Sequence, residues 1–65
     1  SKMTLIEAMK MTRAWPKDKT IPRKLADAIN KAKGEEKEKM GWLIEGLYVD
    51  CQSDKDTDIL KSVFE

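Results

Sequence analysis

Residues 35–51, EEKEKMGWLIEGLYVDC, constrain the fold more than any other stretch of this chain. The segment opens with charge and turns apolar at Met40. Met40, Leu43, Ile44, Leu47, Tyr48 and Cys51 follow the i, i+3, i+4, i+7, i+8, i+11 spacing of one buried helix face. Trp42 and Val49 fall on the opposite side of the same helix. A rod with apolar groups on two sides needs the rest of the chain around it. Glu35, Glu36 and Glu38 sit in its first turn, where the helix dipole favours negative charge. A hairpin, WLI and LYV turning at Glu45-Gly46, is the competing reading, since its residues are β-branched and aromatic. The acidic lead-in and the unbroken helical spacing favour the helix. Gly41 and Gly46 lie inside it, each costing about 1 kcal/mol relative to Ala. Both sit on its flanks, and close approach of another backbone is the expected reason.

The flanking sequence supplies three more helices. Thr4-Leu5-Ile6-Glu7 has the form of a capping box, with the Thr hydroxyl and the Glu carboxylate each satisfying a free N–H. Leu5, Ile6, Ala8, Met9 and Thr12 then make one broad apolar face, and Trp15-Pro16 ends the helix. WPKDKTI forms a loop, after which Pro22 suits the first helical position. Ile21, Leu25, Ala28, Ile29 and Ala32 make a regular stripe. Lys31 and Lys33 suit the last turn, with Gly34 as the residue that closes the helix. Ser53 or Asp54 caps a final helix bearing Ile59, Leu60, Val63 and Phe64. The expected architecture is therefore all-α: a compact bundle of four short helices, about 4–14, 22–33, 35–51 and 54–64. The third is central, and the whole forms a single small domain.

Composition narrows function mainly by exclusion. The chain has 65 residues, no His and one Cys. No internal disulfide is available, and a Cys/His zinc site lacks its ligands. A reduced cytoplasmic setting is expected, and no stretch reads as a signal peptide or a membrane span. Neutral-pH acid–base catalysis usually relies on His. Cys51 has none to activate it and reads as a small buried hydrophobe. No catalytic, cofactor or small-molecule role is expected.

Two motifs fail on their geometry. Asp54-Lys55-Asp56-Thr57-Asp58 opens like a calcium loop, yet Ile59 stands where the sharp turn needs Gly. Residues 25–44 resemble a helix-turn-helix in outline, yet the reading helix would meet DNA with Glu35, Glu36 and Glu38 leading.

Charge is distributed unevenly. Residues 1–33 carry nine Lys/Arg and three Asp/Glu, a net of +6, while residues 34–65 carry four Lys and nine Asp/Glu, a net of −5. Solvated faces account for such runs; so do opposite-signed contacts within a fold or between copies. Lys10, Arg13, Lys17, Lys19, Arg23 and Lys24 are candidate nucleic-acid contacts, with Trp15 among them either stacking on a base or folding over the core beside Met11. Trp42 and Val49, together with Trp15, are the candidate protein contacts, since aromatic patches edged by charge are common at interfaces. The sequence thus predicts a small interaction or regulatory module, self-associating or bound to a protein partner. Nucleic-acid binding through Arg13–Lys24 is the alternative, and a structural subunit of a larger assembly is a third.

Overall fold

The first helix starts where its capping box dictates. Thr4 Oγ1 accepts from the Glu7 N–H at 3.2 Å, and Glu7 Oε1 accepts from the Thr4 N–H at 2.8 Å. In the computed structural model, which describes residues 2–65, this is α1, Leu5–Thr12. It stops two residues short of expectation. The Thr12 hydroxyl donates back to the Met9 carbonyl at 2.8 Å. Arg13, Ala14 and Trp15 then follow in tighter i→i−3 turns.

The second helix, α2, is Ile21–Lys31, with Pro22 in its first turn. Thr20 precedes it without a side-chain cap. Asp18 Oδ1 instead accepts from both the Thr20 N–H and hydroxyl, at 2.9 and 2.6 Å, and so fixes the approach. Of the predicted stripe, Ile21, Leu25, Ala28 and Ala32 are buried, and Ile29 is half-buried. The chain turns at Gly34, whose φ of +59° is a left-handed conformation that suits glycine. It re-enters helix at once as α3, Gly34–Val49. Residues 42–49 are helical, which sets the hairpin aside. The last helix, α4, is Asp54–Phe64, capped by Ser53 Oγ accepting from the Asp56 N–H.

The all-α fold of four helices is therefore the one the sequence predicts. Helix α3 packs against each of the other three, and α2 does the same, so the centre is a pair of helices. Helices α1 and α4 share no close contact with each other. The Cα radius of gyration is 11.0 Å, matching the roughly 11 Å of a compact chain this long. Met40 and Leu47 of α3, Leu25 of α2, Ala8 of α1 and Leu60 of α4 meet in the core with Trp15.

Side chains distant in sequence seal the helix ends. The Glu36 carboxylate accepts from the Leu5 N–H, at the positive end of α1, at 3.3 Å. Its neighbour Lys37 donates to the Ile29 carbonyl, at the negative end of α2, at 2.8 Å. Each charge meets the dipole end that attracts it; Glu36 satisfies an N–H that α1 leaves free, and Lys37 adds a second donor to the Ile29 carbonyl, which also accepts from the Ala32 N–H at 3.2 Å. At the end of α3 the Cys51 N–H turns to Tyr48, and the Leu47 carbonyl accepts instead from the Trp15 indole N–H at 2.9 Å.

One expectation about α3 is overturned. A Cβ placed on Gly41 or Gly46 would meet nothing within 4 Å. Among the described residues no backbone of another element approaches either glycine, so their helix-weakening cost has no packing return there.

Candidate functional site on the outer face of the third helix

With Met40 and Leu47 turned inward, helical geometry turns Trp42 and Val49 outward. Trp42 is 58% exposed and Val49 is 82% exposed. Neither the first nor the fourth helix covers them. Gly46 lies between them on the same side and is also exposed. A shallow groove of about 170 Å³ runs past it, walled by Thr12 of α1 and the adjoining Arg13, by Trp42, Leu43, Gly46 and Leu47 of α3, and by Asp50 just beyond the end of α3. Glu38, Glu45 and Asp50 flank this face, and none has a cation within 4 Å among the described residues. Glu35, one turn further back, has Lys39 at 3.7 Å.

A second exposed apolar patch was not legible as such in the sequence. Ile6 is 64% exposed and Met9 is 44% exposed, although the apolar spacing placed both on the inner face of α1. That face divides in two. Ala8 is buried and Leu5 and Thr12 are half-buried, while Ile6 and Met9 lie on the stripe that carries Lys10 and Arg13. The signal was available: residues 6, 9, 10 and 13 are spaced as one helix face, and two of them are cations.

Trp15 does not belong to this surface. Its indole is 3% exposed, buried in the core with its N–H on Leu47, so it is available neither to a protein partner nor to a base. Lys19 Nζ lies 5.5 Å from the indole ring centroid, within cation–π range. The same ammonium pairs with Asp56 Oδ1 at 2.7 Å. Asp56 is buried, and its other oxygen accepts from the Gln52 N–H at 2.9 Å. The bond from Lys19 and the one from Gln52 outweigh desolvation and hold the carboxyl below its ordinary range. Asp56 therefore ties α4 to the loop before α2, and the calcium-like run around it is a helix start. No group of three potential metal-ligating side chains occurs among the described residues.

The six basic candidates separate accordingly. Lys19 is committed to Asp56. Lys10, Arg13, Lys17, Arg23 and Lys24 are exposed, with no carboxylate within 4 Å among the described residues. Cys51 is half-buried, its Sγ 3.4 Å from the Leu47 carbonyl. The Tyr48 hydroxyl donates to Glu65, which pushes the phenol up to about 12 and pins the end of α4 to α3. No helix of the described residues is long and apolar enough to cross a membrane. Comparison with protein-family models, with curated proteins and with solved structures finds no match to this chain.

Proposed function

We propose that this chain is a protein-interaction module that works by contact, without catalysis or a cofactor, through the outer face of α3. The observation that carries this reading is the pairing of Trp42 and Val49, both largely exposed, across a glycine with open space above it. Folding gains nothing from leaving an indole and a Val in water, or from placing Gly mid-helix. A partner that buries the indole and seats against Gly46 accounts for all three. Aromatic anchors beside a pocket, edged by charge, are the usual centre of a protein contact.

The test places a photo-activated benzophenone side chain at position 42 and, separately, at exposed Ser62 of α4. A discrete cross-linked product from position 42 is expected, absent from position 62 and lost when Val49 is changed to Ser. No product from position 42, or equal products from both positions, would refute the reading.

The unpaired cations favour a second reading, nucleic-acid binding through Lys10, Arg13, Lys17, Arg23 and Lys24. With Trp15 buried, only charge attraction supports it, so binding would be sequence-blind and steeply weakened by salt. Failure to bind heparin or DNA at low salt removes it.

A further inference from the structure

The four large apolar side chains that the fold leaves exposed fall on two helices that pack side by side. Ile6 and Met9 share their stripe of α1 with Lys10 and Arg13. Trp42 and Val49 share theirs with Glu38 and Glu45. Each stripe mixes two large apolar side chains with two charges, and the charges of the two stripes are opposite. The first stripe runs over residues 6–13, about 10 Å, and the second over residues 38–49, about 16 Å, so the first can seat within the length of the second. Arg13, at the end of the first stripe, walls the same groove as Trp42 and Gly46 of the second. The two stripes therefore meet at Arg13.

Within one copy these stripes lie beside each other and cannot meet face to face. A second copy related by a two-fold axis brings them together twice, since a two-fold contact sets patch i on j and j on i. We infer that the partner of this face is a second copy of the chain, with α1 of each copy seated on the outer face of α3 of the other. This rests on the interaction reading above and names its partner. Ile6 and Met9 bury the exposed indole and Val49 of the other copy and fill the space over its Gly46. Lys10 and Arg13 meet the Glu38 and Glu45 carboxylates, which have no cation within 4 Å among the described residues. Stacking α3 directly on α3 is disfavoured, because it would oppose carboxylate to carboxylate. Two short stripes bury less than roughly 1,200 Å², the range of weak, reversible contacts. The dimer therefore forms in the micromolar-to-millimolar range and loosens with salt.

Charge reversal on each stripe tests the geometry. Sedimentation velocity is run on the full chain from roughly 10 µM to roughly 1 mM, a range that spans such an affinity. Lys10→Glu with Arg13→Glu makes both stripes acidic, and Glu38→Lys with Glu45→Lys makes both basic. Each double variant alone is expected to sediment as a monomer where the parent dimerises. Mixed one to one, the two variants are expected to recover the dimer, because in the heterodimer both contacts again join opposite charges. Circular dichroism of each variant alone checks that it is folded. A parent that stays monomeric throughout overturns the inference, as does a dimer that survives Trp42→Ala or that mixing fails to restore. The cross-link distinguishes this failure from that of the interaction reading. A position-42 product of about twice 7.5 kDa identifies a second copy. A product of another mass keeps the interaction surface and rejects the second copy.

Discussion

The indole N–H of Trp15 and the carbonyl oxygen of Leu47 lie 2.9 Å apart, joining residues 32 positions distant in the chain. The bond closes the free carbonyl end of α3 and holds the loop before α2 against it. Trp15 is thereby part of the fold, whereas Trp42 lies on the surface.

Trp15→Phe keeps most of the ring and removes the donor. The Leu47 carbonyl then keeps only the weak Cys51 thiol contact. The expected loss is about 1–3 kcal/mol, that of a buried polar group left without its partner. Urea unfolding followed by far-ultraviolet circular dichroism measures it, and an unchanged midpoint would show that the bond contributes nothing.

The glycines of α3 give the opposite sign. With open space over both, Gly41→Ala and Gly46→Ala are each expected to stabilise the monomer by roughly 0.5–1 kcal/mol. Thermal melts at low concentration read this. At Gly46 the added methyl enters the groove, so the same change is expected to weaken self-association. Destabilisation by either substitution would mean that the helix is crowded there.

Asp56 makes stability depend on acid. Its carboxyl titrates lower in the folded chain than in the unfolded one, because Lys19 and the Gln52 N–H favour the ionised form. Its contribution is therefore complete above the unfolded value near 4 and is lost as pH falls through the folded value. Asp56→Asn is expected to lower the melting temperature at pH 7 and to flatten its fall below about pH 4. A variant whose melting temperature tracks the parent at every pH would contradict this.

Trp42→Ala and Val49→Ser are expected to change monomer stability by less than about 0.5 kcal/mol, as ordinary surface substitutions do. A loss several times larger, in dilute solution where no dimer forms, would make the outer face part of the fold.

The fold was legible because each helix carries its own local signals. The Thr4–Glu7 box, Pro22, Gly34 and Ser53 mark helix starts and turns, and the apolar spacing of α2 and α3 marks their inner faces. What remained hidden depends on distant pairs. Nothing near Glu36 or Lys37 indicates that they seal α1 and α2, and nothing near Lys19 indicates that Asp56 occupies it. Ile6 and Met9 suggest an inner face by their apolar character, while Lys10 and Arg13, at helical spacing from them, mark that stripe as the outer side. The exposure of Trp42 and Val49 followed from spacing that set them opposite the core. Whether neighbours covered them was a matter of packing.

The most direct measurement is a concentration series of amide and indole N–H spectra of the unmodified chain, recorded by nuclear magnetic resonance at low salt. With rising concentration, the Trp42 indole signal and the amides of residues 6–13 and 42–49 should shift together, while the Trp15 indole signal holds still. Signals that do not move, or that move on α2 and α4 instead, would contradict the assignment of this surface.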